Sequence, residues 1–216
     1  ISNYSTAFKY CFYHPKIGFW IGATPEQFLK VDDNLVKTVS LAGTQLFDKK
    51  EDAIWQNKEI EEQQIVTDYI VKNLKLYSDN VTFSEPYSHQ AGSLVHIKTD
   101  IQAVVNEENN ISEIINVLHP TPAVCGFPKE KAKQFIIENE GYQREFYAGF
   151  LGEWNKDFAT FKQKQSDLFV NLRCMKIEES IANLYIGCGI TKDSNPEKEF
   201  VETVNKSVTI KSVLCF

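Results

Sequence analysis

A carboxylate on the apolar side of a helix needs a positive partner, and this sequence places one there. Residues 51–74 contain neither Gly nor Pro and carry helical periodicity. At about 100° per residue, Ile54, Trp55, Ile65, Val66, Tyr69 and Ile70 span one arc, with Glu62 inside it. An unpaired buried carboxylate is costly, so Glu62 calls for a cationic side chain or a metal ion. Lys58, one turn earlier, is the ordinary i,i+4 partner, and a metal is the alternative. Near the end of the chain Phe200, Val201, Val204 and Val208 form an apolar stripe, with Glu199, Glu202 and Lys206 opposite. That charged side is expected to face water, and to be functional if it lines a cleft. His14, His89, His96 and His119 lack metal-ligand spacing and are expected in hydrogen-bonded structural or surface roles. Gly187-Cys188-Gly189 lacks the third glycine of a dinucleotide fingerprint, so it reads as a strand-end turn or a point of close backbone approach.

The elements that must position these groups are mostly strands. Residues 8–13, 18–23, 28–31 and 35–41 are β-prone runs separated by His14-Pro15, Thr24-Pro25 and Asp32-Asp33-Asn34, which predicts an antiparallel meander. The long helix follows, then strands over 81–83, 94–99 and 101–105. Ser112 offers an N-cap for a short helix ending before Pro120, and another helix is expected after Pro128. Strands are expected over 146–154, 167–177 and 183–190, before a final helix with Pro196 in its first turn. Strand runs interrupted by helical excursions, with no internal repeat or linker, indicate a single α+β domain over residues 1–216.

Composition narrows the partners. The 216 residues are 43% hydrophobic and 24% charged, with 15 Phe, 9 Tyr and 3 Trp, enough apolar area for a folded core. A net charge of -6 without clustered Lys and Arg argues against a nucleic-acid partner. No apolar run approaches membrane-helix length, so no membrane partner is expected. Five cysteines without a C-x-x-C pair predict neither a zinc site nor a disulfide framework, and fit a reducing cytoplasm. The chain opens at Ile1 without a leader-like segment, which reads as a C-terminal fragment of a longer protein, and a monomer is expected.

Several segments occur in a recognisable order. They are Ile21-Gly22-Ala23-Thr24-Pro25-Glu26, Leu41-Ala42-Gly43-Thr44, His119-Pro120-Thr121-Pro122-Ala123, Asn171-Leu172-Arg173 with Gly187-Cys188-Gly189-Ile190, and Glu199-Phe200-Val201-Glu202-Thr203 with Lys206. Together they resemble the chorismate-utilising enzymes, from about residue 7 to the C-terminus. The resemblance implies the fold of anthranilate synthase large subunits, α+β with packed antiparallel β-sheets flanked by helices, here N-terminally truncated. It implies Mg²⁺ held by Glu62 and Glu202 against the ring carboxylate of chorismate, which suits a hard cation that takes one or two carboxylates plus substrate. Glu199 would either support these ligands or face solvent. Arg173 and Tyr147 match positions that bind the pyruvyl carboxylate, where a guanidinium fork holds both oxygens. Lys206, His96, Gly43, Thr44, Ala123 and Gly187 match other substrate contacts. Glu26 matches the general acid. The base, a lysine in this family, would lie on a strand upstream of the chain, so a fragment alone is expected to be inactive.

Within the family, Ala42 excludes the covalent lysine found in aminodeoxychorismate synthases. The His-Pro-Thr-Pro-Ala run and Ala123 resemble isochorismate synthases, which serve menaquinone or siderophore biosynthesis. A salicylate synthase, or a chorismate-binding fragment without turnover, is the alternative.

Overall fold

The computed structural model describes residues 7–46, 53–91, 94–106 and 111–211. In chain order they form β1 (Phe8–His14), β2 (Gly18–Thr24), β3 (Gln27–Asp32), β4 (Leu35–Leu46), α1 (Asn57–Leu74), β5 (Asn80–Phe83), β6 (Tyr87–Ala91) and β7 (Leu94–Val104). There follow α2 (Ile111–Leu118), α3 (Pro122–Cys125), α4 (Lys129–Asn139), β8 (Phe150–Glu153), β9 (Gln165–Val170), β10 (Cys174–Glu178), β11 (Ile181–Tyr185) and α5 (Pro196–Lys211). The expected α+β class with antiparallel sheets is what forms. The opening strands do not make one meander: β1 and β2 join a four-stranded sheet, and β3 and β4 a seven-stranded one. Backbone contacts group the chain into two compact units, Ile1–Glu26, Tyr142–Leu151 and Phe169–Phe216 in the first, Gln27–Gly141 and Gly152–Leu168 in the second. Among the described residues no helix is long and apolar enough to cross a membrane.

In the first unit the strands run in the order β1-β2-β10-β11. Register pairs Phe12 with Trp20, Trp20 with Lys176 and Cys174 with Tyr185, so these side chains share one face of the sheet. Trp20, fully buried, stacks on Tyr185 at 5.1 Å and meets Phe146 edge-on at 5.4 Å. Gly22 is required here, because a Cβ would lie 2.5 Å from the Tyr10 ring. The strand expected over 146–154 is confined to β8, since Glu145 and Ala148 adopt left-handed φ values of 48° and 63°. The run 167–177 breaks at Asn171-Leu172-Arg173 for the same reason, with Arg173 at φ 49°. Likewise 183–190 is a strand only as far as Tyr185.

In the second unit β4 and β7 pair antiparallel from Leu35↔Val104 to Leu46↔Leu94, with an irregularity between Ala42 and Gln45. β7 is one continuous strand through Asp100, and β6, not anticipated, pairs with it. α1 packs across β4 and β7. Its expected start at Glu51 lies outside the described residues; a capping box between Gln56 and Glu59 opens the helix at Asn57. Ile54 and Trp55 therefore precede it, and Ile65 is exposed, leaving Val66, Thr67, Ile70, Leu74 and the polar Gln63 on the buried side. Ser112 lies inside the first turn of α2 rather than at its cap, because the helix already begins at Ile111.

Gln63 is reconciled with burial by a polar knot. Its Nε2 lies 2.8 Å from Thr99 Oγ1, 2.9 Å from Thr67 Oγ1 and 3.3 Å from Ser40 Oγ, while Ser40 Oγ donates to the Gln63 carbonyl at 3.2 Å. The knot ties α1 to both β4 and β7 without an unsatisfied amide. Gln63→Leu is expected to cost about 1–3 kcal/mol, because buried threonine hydroxyls lose their donor. Thermal unfolding checks this, and an unchanged melting temperature would remove the knot from the stabilising interactions.

Candidate functional site

The carboxyl of Glu26 sits where three segments of the first unit meet. Thr24, fully buried at the end of β2, donates from Oγ1 to the Val170 carbonyl at 2.6 Å. Val170 N donates to the Glu26 carbonyl at 2.9 Å, and Ala23 N donates to the Arg173 carbonyl at 3.3 Å. These bonds stitch the exit of β2 to the turn between β9 and β10, which brings Arg173 to Glu26. Lys206 of α5 supplies a second positive charge. Although the residue keeps partly accessible surface, the protein packed around its carboxyl pushes the group from 4.5 up to about 7, against the opposing pull of Arg173 and then Lys206. Such a carboxyl holds its proton near neutral pH and is poised to donate it.

α5 is turned the opposite way from its sequence expectation. Phe200, Val201, Val204 and Val208 are exposed, whereas Glu199 is buried and Glu202 and Lys206 are half-buried. The inward polar side is stabilised within itself: Lys206 Nζ lies 2.6 Å from Glu202 Oε1 and donates to the Gly187 carbonyl at 3.3 Å. Cys188, next in the chain, has its thiol pushed up to about 11 by burial and by the charges of Glu202 and Glu199. Gly187 must be glycine, since a Cβ there would lie 2.6 Å from the Tyr147 hydroxyl. Tyr147 is itself buried, 5.7 Å from the Tyr185 ring, with the Arg144 guanidinium 5.6 Å over its own ring. The first unit thus brings together Glu26, Arg173, Lys206, Glu202, Glu199, Gly187 and Tyr147.

The remaining candidates belong to the second unit. Gly43 and Thr44 occupy the irregularity between β4 and β7. Gly43 has φ 69°, which favours glycine, and a Cβ there would lie tight against Glu59 at 3.0 Å. His96 of β7, buried, holds this segment: its Nδ1 is 3.0 Å from the Gly43 carbonyl and 3.3 Å from Thr44 Oγ1. Ala123 lies in α3, which packs against α1 and β4. Glu62 is half-buried on α1. His119 stacks edge-on against Phe28 at 5.4 Å, and burial, then Lys129 and Lys133, push its imidazole down to about 4, so it is neutral at pH 7.

Periodicity could not show which side of α5 faces inward, and no motif marked the pair Lys176 and Glu145, ion-paired at 3.0 Å with Glu145 two residues before Tyr147. The signal available for them was a lysine at an inward position of a strand otherwise rich in apolar residues. Among the described residues no group of three or more His, Cys, Asp or Glu side chains converges closely enough to hold a metal ion alone.

Burial of Glu26 has a sign that can be tested. Its pKa is raised on folding, so its contribution to stability is full below about 4.5 and is lost as pH rises through about 7. Glu26→Gln, uncharged throughout, is expected to be the more stable protein at pH 8, by up to about 3 kcal/mol, with the gap closing by pH 5. Thermal unfolding across that range decides it; equal stability at pH 8 would mean the carboxyl ionises at no cost.

Comparison with known proteins bears on the family and the fold. Isochorismate synthase MenF of Escherichia coli K12 is 29% identical over 203 residues, covering 90% of this chain and 45% of MenF. The solved structure of E. coli MenF, described as the menaquinone-specific isochorismate synthase, superposes with TM-score 0.80 and 28% identity over 92% of this chain and 46% of its own. Anthranilate synthase component I from Streptococcus pneumoniae shares the fold, with TM-score 0.78 and 24% identity over 94% of this chain and 46% of its own. The chain spans about half the length of the curated relatives it matches. The family model of the chorismate binding enzymes matches residues 1–215, and the chain belongs to that family.

Proposed function

We propose that this chain is the chorismate-binding part of an isochorismate synthase, which moves a hydroxyl from C4 to C2 of the chorismate ring. The observation that carries the reading is the Glu26 carboxyl, surrounded by protein beside Arg173 and Lys206 and raised to about 7, so that it keeps a substantial protonated fraction near neutral pH. Glu26 gives its proton to the departing C4 hydroxyl, which leaves as water, while a second water adds at C2, passing its proton to the general base, a lysine by family resemblance, and the ring double bonds shift. Arg173, with a planar two-pronged guanidinium, and Tyr147 hold the pyruvyl carboxylate. Lys206, paired with Glu202 and bonded to the Gly187 carbonyl, adds positive charge on the same side of the site. Isochorismate synthase relatives and Ala123 favour this product over salicylate.

The acidic side chains fit Mg²⁺ by donor chemistry, since Glu199 and Glu202 turn hard oxygens inward from α5 and this ion is commonly completed by waters and substrate. The assignment of Glu62 and Glu202 as its ligands rests on the family resemblance. When bound, Mg²⁺ would neutralise the ring carboxylate and polarise the ring.

Incubation of the complete gene product with chorismate and Mg²⁺, with products separated by chromatography, tests the reading: isochorismate is expected, and anthranilate, salicylate or no product would overturn it. In that protein Glu26→Gln is expected to lower kcat by about 10²–10⁴-fold with little change in KM, because the proton transfer matters in the transition state. A normal kcat would return Glu26 to a turn residue beside Pro25. Glu62→Gln and Glu202→Gln are each expected to abolish Mg²⁺-dependent chorismate binding, read by calorimetry with and without Mg²⁺. Unchanged dependence in both would leave Glu202 as the ion-pair partner of Lys206 and Glu62 as a structural carboxylate.

A further inference from the structure

Tyr147 hangs on a segment that its own backbone does not favour. Two residues before it Glu145 has φ 48°, and one residue after it Ala148 has φ 63°, both left-handed conformations in non-glycine residues. Such a segment keeps its shape when its surroundings over-determine it. On the downstream side Asn171 does this: Ala148 N donates to the Asn171 carbonyl at 2.9 Å, Asn171 N to the Gly149 carbonyl at 2.7 Å, and Asn171 Nδ2 to the Phe146 carbonyl at 2.8 Å. On the upstream side Lys176 does it from β10. Its ammonium lies 3.0 Å from both carboxylate oxygens of Glu145, and its side chain is 11% exposed against 32% for Glu145.

Lys176 shares the sheet face of Trp20, and Phe146 packs edge-on to Trp20 and Phe12, so ion pair and aromatic contacts hold neighbouring residues of the segment. Between these fastenings the Tyr147 ring lies against Tyr185, and its hydroxyl occupies the space that the missing Gly187 side chain leaves. Lys176 has a second carboxylate partner, Glu178, at 2.8 Å. That residue belongs to β10 itself, so its ion pair fastens nothing to the sheet and serves as an internal control.

We infer that Lys176 is a positioning residue: through Glu145 it sets the place of the Tyr147 hydroxyl for the substrate carboxylate, without touching substrate. The inference rests on the function proposed above. It deepens that function by adding a specificity element on the sheet, behind the binding side chains.

The test measures chorismate KM and kcat on the complete gene product for wild type, Lys176→Met, Lys176→Arg, Glu145→Gln, Glu178→Gln, Tyr147→Phe and the double variant Lys176→Met/Tyr147→Phe, with thermal unfolding of each. Lys176→Met and Glu145→Gln are expected to raise KM about tenfold with kcat nearly unchanged, Lys176→Arg to restore wild-type KM, and Glu178→Gln to leave KM unchanged. In the Tyr147→Phe background Lys176→Met is expected to add little, because both changes remove one interaction. Fully additive KM effects, or a loss of stability in Lys176→Met with wild-type KM, would overturn the inference while the functional reading stands. A wild-type enzyme that does not use chorismate would overturn both.

Discussion

Withdrawal of water from the Glu26 carboxyl is the constraint around which the first unit is organised. A glutamate at an exposed strand end would ionise and could give no proton at neutral pH. Here the Thr24 hydroxyl and the backbone bonds to Val170 and Arg173 carry it into the protein, where burial outweighs two nearby cations. Those cations keep the shift moderate, so the carboxyl gives up its proton near pH 7 instead of holding it permanently. Burial and opposite charge, working against each other, set the acid strength.

The same constraint accounts for the orientation of α5. A helix that offers a lysine to a buried acid must turn its polar side inward, and Glu199, Glu202 and Lys206 follow. The cost of half-burying these charges is offset by the Glu202–Lys206 pair and the Gly187 carbonyl. Gly187 in turn is small because Tyr147 needs the space. In the second unit the Gly43 irregularity follows similar logic: a left-handed glycine beside Glu59 opens the β4–β7 ladder, and the buried His96 ring holds the opened carbonyl. Both units spend regular backbone structure at the residues that the family resemblance assigns to substrate.

Much of the strand framework was legible because alternation and turn residues are local signals: β1 to β3, β5 and the end of the long helix follow from them to within a few residues, whereas β4 reaches further and the late strands are shorter or broken. What was not legible is directional. Periodicity showed that Phe200, Val201, Val204 and Val208 share a side of α5, but not that this side would be exposed. The breaks at Glu145, Ala148 and Arg173 were hidden because non-glycine residues there adopt left-handed φ under tertiary restraint. Gln63 carried no signal in the sequence because its partners, Ser40, Thr67 and Thr99, become neighbours only after folding. The substrate-site residues came from motif resemblance; from residue chemistry alone Glu62 remained open between an ion pair and a metal, and Glu26 attracted no notice.

The proton on Glu26 is most directly followed by carbon-detected NMR titration of the glutamate side-chain carboxyls, with the Glu26 signal assigned by its loss in Glu26→Gln. A midpoint of about 7 is expected for Glu26 in the folded protein. A midpoint in the ordinary glutamate range, about 4.3, would contradict it.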